Sequence, residues 1–95
     1  MTLNYAIIGC GRISPNHIAA ALENELNIVA LCDLDNSKME STKNSFNLDD
    51  KVKFYTDYHE MLKNESIHLI GICTESGEHG KIALECIEAG VNLII

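Results

Sequence analysis

Tyr5-Ala6-Ile7-Ile8-Gly9-Cys10-Gly11-Arg12-Ile13-Ser14 is an apolar run that breaks into two glycines one residue apart and then enters a helical pattern. Further on, a second apolar run from Ile28 to Cys32 ends in Asp33. Strand, tight turn, helix, strand and acid follow in the order of a dinucleotide-binding unit. In such a unit the first glycine permits the turn and the second lets the backbone approach a pyrophosphate. The phosphate charge then rests on amides at the helix N-terminus, here those of Arg12 and Ile13. Ser14 holds the third glycine position, and it is small enough for helix and strand to pack closely. Asp33 stands where a carboxylate can accept hydrogen bonds from both hydroxyls of an adenosine ribose. The blander reading, a plain turn and a capping acid, does not explain why all these features occur together in this order.

Working outward, 95 residues make one domain, here 1–95, with 46% apolar and 5% aromatic residues. That composition suits a core of Ile, Leu, Val and Ala between a sheet and helices. Seven basic residues against fourteen acidic give a net charge of −7. Such a surface repels nucleic-acid backbones and anionic lipid, although one pocket can still hold a dinucleotide through backbone amides. No basic-apolar-small pattern suggests a signal peptide and no run is long enough to span a bilayer, so the expected compartment is the cytoplasm.

Cys10, Cys32, Cys73 and Cys86 form no C-x-x-C pair and lack clustered histidines, so no metal site is expected. Three of them read as small buried hydrophobes. Cys10 lies in the glycine turn, where oxidation would block the pocket.

The remaining chain alternates strand and helix. Leu3 to Ile8 is the first strand, and Pro15 is compatible with the first turn of a helix whose sheet-facing stripe is Ile18, Ala21 and Leu22. Asn24 and Asn27 bracket its exit. Asn36 or Ser37 caps a second helix with Met39, Thr42 and Phe46 inward. Val52 to Tyr55 is a short edge strand. Asp57 and Glu60 have the spacing of a capping box before a third helix with Tyr58, Met61 and Leu62 inward. Ile67 to Cys73 is a buried strand, followed by a loop, Thr74 to Gly77. A fourth helix has His79, Ile82, Ala83, Cys86 and Ile87 on its inner face and stops at Gly90, before a fifth strand from Val91 to Ile95. The pattern predicts an α/β Rossmann-type doubly wound parallel sheet of order 3-2-1-4-5, helices on both faces, and a pocket at the carboxyl ends of strands one and four.

Three stretches carry a family resemblance across the chain. Tyr5 to Ser14 with His17, Val29-Ala30-Leu31-Cys32-Asp33, and Thr74 with His79 together with Gly90-Val91-Asn92-Leu93-Ile94-Ile95 resemble the N-terminal domain of the Gfo/Idh/MocA oxidoreductases. Thr74 and His79 match the ends of the family's T-P-N-x-x-H loop, while Glu75 and Ser76 replace its proline and asparagine. The resemblance implies the NAD-binding half of an enzyme that moves hydride between a nicotinamide cofactor and a sugar or nucleotide-sugar hydroxyl. It implies cofactor contacts from Gly9, Gly11, Arg12, Ile13, Asp33, Thr74 and His79, and a homo-oligomeric parent. The family's E-K-P motif would begin after Ile95, so the resemblance places the catalytic lysine, the acid and histidine pair and the substrate domain outside these residues, and no catalytic residue within them. The segment Gly11-Arg12-Ile13-Ser14-Pro15-Asn16-His17 is similar to members that oxidise nucleotide-activated amino sugars.

Asp33 favours NAD over NADP by repelling a 2′-phosphate, with Lys38 in a position to offset that repulsion. His17 reads as structural, and His59 and His68 have no assigned role. Two other classes share parts of the pattern. An S-adenosylmethionine-dependent methyltransferase would want glycine where Ile13 stands, and a non-enzymatic nucleotide-sensing module would leave the Thr74 and His79 pair unexplained.

Overall fold

The computed structural model describes residues 2–12, 14–74 and 79–94, with only the backbone at 94. Ile13, the loop residues Glu75 to Gly77 and the terminal Ile95 lie outside the described residues. The chain runs β1 (Asn4–Ile8), α1 (Ser14–Glu23), β2 (Asn27–Cys32), α2 (Asn36–Ser45), β3 (Lys53–Tyr55), α3 (Tyr58–Asn64), β4 (Leu69–Ile72), α4 (His79–Glu88) and β5 (Asn92–Ile94). All pairings are parallel and the strand order is β3-β2-β1-β4-β5, as the alternation of elements predicts. The centre of the sheet is therefore β1, where Ile8 is in register with Cys32 on one side and Ile72 on the other.

Alternation along the strands divides the core into two layers. Tyr5, Ile7, Leu31 and Cys73 pack with Ile18 and Ala21 of α1 and Met39 of α2. Ala6, Ile8, Cys32, Ile70 and Ile72 pack with Met61 of α3 and with Ile82 and Cys86 of α4. A register shift between Tyr5 and Ala6 lets Tyr5 face Ile28 while Ala6 faces Ala30. Val29 and Ala30 consequently belong to the same layer, a local break in the two-residue period. Gly71 lacks a side chain because Tyr5 occupies the space: a Cβ there would lie 2.1 Å from the phenol oxygen and 3.2 Å from His17 Nδ1.

Several local expectations need correction. Leu22 and Ile87 are 43% and 59% exposed instead of lying on the sheet. Each is one position round its helix from the residues that reach the core, Ala21 and Cys86. The α2 cap is Asp35, in extended geometry, whose carboxylate accepts from Ser37 N at 2.9 Å, and not Asn36 or Ser37. At α3 the Asp57 cap holds, accepting from His59 N at 2.9 Å, but the Glu60 carboxylate takes Asn64 Nδ2 at 3.4 Å instead of closing a capping box. Between the bracketing asparagines, Glu25 takes the left-handed conformation, at φ 58°. Gly90 does end α4 with a left-handed turn, at φ 83°. The fourth strand starts at Leu69, two residues after the expected Ile67, because His68 is engaged at the strand entrance. Its N–H donates to Asn4 O at 2.9 Å and its Nδ1 accepts from Asn4 N at 2.9 Å.

A candidate dinucleotide-binding cleft

At the carboxyl edge of the sheet β1 ends in the glycine turn. Gly9 N donates to Cys32 O at 2.7 Å, and Cys73 N donates to Ile8 O at 2.8 Å, so the turn is clamped between the ends of β2 and β4. Gly9 has φ 97°, a left-handed conformation that favours glycine. A Cβ on Gly9 would also meet Thr74 N at 2.7 Å and the Cys73 carbonyl carbon at 2.8 Å. Both the backbone shape and the passing β4 exit therefore require glycine here.

The turn feeds α1 through Ser14, which is 1% exposed and whose hydroxyl donates to Gly11 O at 2.8 Å. Serine thus fits the third glycine position and also ties the helix start to the turn. The amides of Gly11 and Arg12 have no acceptor among the described residues and stand ahead of the α1 N-terminus, where an anion is stabilised.

Asp33 closes the other side. Its Oδ2 accepts from Cys10 N at 2.7 Å and its Oδ1 from Asp35 N at 2.8 Å, while its own N–H donates to Tyr55 O at 3.0 Å. The carboxylate is thereby fixed by one amide from the glycine turn and one from the loop into α2. A carboxylate has about four lone-pair sites, so capacity for two hydroxyl donors remains.

Between these parts lies a cleft of about 540 Å³ whose wall includes Gly9, Gly11, Asp33, Lys38 and Thr74. The Thr74 hydroxyl is buried and has no hydrogen-bond partner among the described residues, an arrangement that leaves it available to a bound polar group. Of the residues singled out in the sequence, the structure brings Gly9, Gly11, Asp33 and Thr74 to this wall. Arg12 is exposed and outside it, and Ile13 lies outside the described residues. His79 is also outside the wall, with its Nε2 against the Thr74 carbonyl across the loop.

Sequence reasoning missed Leu34, Tyr58 and Ile82 as wall residues. Leu34 is 89% exposed, and a leucine directly after the acid with no place in any helical or strand period was the available signal. Cys10 is a correction in the other direction. It is 6% exposed and packed in the α1–α2 layer, and burial, then the Asp33 charge, push its thiol up to about 12. It does not offer a reactive thiolate to the pocket.

A parallel sheet with its strand order reversing at β1, a glycine turn at that switch point and an acid at the end of β2 define a dinucleotide-binding domain. More narrowly, the chain belongs to the Gfo/Idh/MocA oxidoreductase family, NAD-binding Rossmann fold, whose model it matches over residues 3–95. It is 32% identical over 90 residues to D-apiose dehydrogenase of Paraburkholderia graminis, covering 94% of this chain and 23% of that protein. Inositol 2-dehydrogenase of Salmonella typhimurium is 24% identical over 91 residues, covering 94% and 26%. The chain thus spans about a quarter of the length of these relatives. The crystal structure of myo-inositol 2-dehydrogenase from Lactobacillus plantarum superposes with a TM-score of 0.84 at 29% identity, covering 98% of this chain and 27% of that one. WlbA dehydrogenase from Bordetella pertussis, solved with NADH and UDP-GlcNAcA, shares the fold with a TM-score of 0.81 at 24% identity, over 98% and 28% of the two chains.

Proposed function

We propose that this chain is the cofactor half of an NAD-dependent dehydrogenase that oxidises a hydroxyl of a sugar or cyclitol, the substrate domain and the catalytic residues lying in the remainder of a longer, homo-oligomeric cytoplasmic enzyme. The observation that carries this reading is the Asp33 carboxylate, fixed by two backbone amides with accepting capacity to spare, in one wall with the glycine turn and a threonine hydroxyl that has no partner among the described residues. Asp33 would take the adenosine ribose diol. The amides of Gly11 and Arg12 would hold the pyrophosphate, with that of Ile13 assigned by the motif alone. Thr74 Oγ1 would bind toward the nicotinamide end, with His79 Nε2 against the Thr74 carbonyl. When bound, the cofactor supplies the hydride acceptor, and this half of the enzyme supplies orientation and exclusion of water.

Asp33 and Asp35 both border the cleft, which favours NAD because a 2′-phosphate would meet two carboxylates and, among the described residues, Lys38 alone as a cation in the same wall. The substrate class rests on the sugar and cyclitol dehydrogenases among the relatives. A nucleotide-sugar substrate is the finer alternative that the turn sequence suggests. Four buried free cysteines suit a reducing compartment.

Calorimetric titration with NAD, NADP and S-adenosylmethionine tests the reading. NAD is expected to bind, NADP more weakly, and Asp33→Ala to weaken NAD by roughly tenfold or more, the loss of charge-assisted hydrogen bonds. Tight S-adenosylmethionine binding, or NAD binding indifferent to Asp33, overturns it.

A further inference from the structure

His59 sits at the start of α3 between two carboxylates from different elements. Its Nδ1 lies 2.9 Å from Asp57 Oδ1, in the loop before α3, and its Nε2 contacts Glu85 Oε2 on α4. The same Glu85 oxygen accepts the Tyr58 hydroxyl at 3.0 Å, and the Tyr58 and His59 rings stack with centroids 4.2 Å apart and 29° between their planes. Tyr58 is a wall residue of the cofactor cleft, beside Ile82 of α4. The wall is therefore braced from behind by a cluster that joins two helices.

The chemistry of the brace depends on protonation. A neutral imidazole has one N–H donor, so it satisfies one carboxylate and turns a lone pair toward the other. Only the imidazolium donates to Asp57 and Glu85 together. Among the described residues the charged groups around it are Asp57, Glu85 and, acting on Glu85, Lys81, with Tyr58 a further titratable neighbour.

We propose that His59 is a positioning residue for the cofactor site, holding Tyr58 in the cleft wall when protonated and loosening it when neutral. The inference rests on the cleft being the NAD site. Hydrogen bonds donated to Asp57 and then Glu85 hold the His59 pKa above the usual histidine value. Glu85 is pulled up by desolvation, yet the Tyr58 and His59 hydrogen bonds outweigh this and keep it below the usual carboxylate value. A raised folded pKa means that the brace is fully present below the unfolded histidine value and is lost as pH rises through the folded one.

The test is NAD affinity of the whole chain at pH 6 and pH 8.5, with histidine ¹⁵N spectra recorded in the absence of nucleotide. The wild type should bind NAD roughly threefold more tightly at the lower pH, the effect of about one modest hydrogen bond. His59→Gln, which cannot titrate, should remove that step, and Tyr58→Phe, which keeps the stack but not the hydroxyl, should reduce it. The His59 ring should titrate above the ordinary histidine value, and Glu85→Gln should lower its midpoint. A pH step that persists in His59→Gln, or a wild-type affinity equal at both pH values, overturns the inference and leaves the NAD site standing. No NAD binding at either pH, in a chain folded by circular dichroism, overturns the reading of the cleft and this inference with it.

Discussion

An alanine at position 9 would set its Cβ within 3 Å of Thr74 N and the Cys73 carbonyl carbon, backbone atoms with no side-chain freedom to move aside. It would also hold an L-residue at a φ of 97°. Overpacking costs about 1–3 kcal/mol and the backbone strain about 1–2 more, so Gly9→Ala should lower stability by about 3 kcal/mol, measured by urea denaturation. The G-x-G pattern made the turn legible. The demand from β4 was not legible, because it comes from a residue distant in sequence that only the folded sheet brings alongside. Asp33 shows the same division: its place at the strand end was readable, whereas the two amides that orient it, from Cys10 and Asp35, depend on loop geometry.

At the level of single elements, α1 closes on Glu25 in the left-handed region, where Leu26 N reaches back to Ala21 O at 2.9 Å. Glycine suits that position without the Cβ penalty, so Glu25→Gly should stabilise the chain by about 1 kcal/mol, visible as a rise in Tm. Periodicity gave the direction of each buried stripe but not its width. Ile18, Ala21, Ile82 and Cys86 are buried as expected, whereas Leu22 and Ile87 lie just past the strip that touches the sheet. The α2 cap was ambiguous for a chemical reason. Asp35, Asn36 and Ser37 are all good capping residues, and the choice is made by backbone angles at Asp35, φ −104° and ψ 109°.

Across the whole molecule the four cysteines are shared between the two core layers, Cys10 and Cys73 in one and Cys32 and Cys86 in the other. Burial holds every thiol well above its free value, to about 12 for Cys10 and Cys32 and about 11 for Cys73 and Cys86. At pH 8 a thiol-specific reagent should label the native protein slowly at all four positions and rapidly in urea; fast native labelling of Cys10 alone would contradict its packed position. The strand order was readable at this scale because strictly alternating strands and helices admit few parallel topologies. The cleft's apolar wall was not, since Leu34, Tyr58 and Ile82 come from three separate segments.

The place of β1 at the centre of the sheet has a consequence for biosynthesis. This strand is translated before its sheet neighbours, and its β2 and β3 companions follow soon after, yet its other flank stays open until Leu69 to Ile72 has been translated. A nascent chain thus carries half a sheet with one unsealed side through much of its synthesis, the kind of exposed edge that chaperones shield. Thr74 reaches Gly9 only after β4 has paired. The candidate cleft is accordingly a late product of folding, and the proposed NAD site is incomplete on the emerging polypeptide.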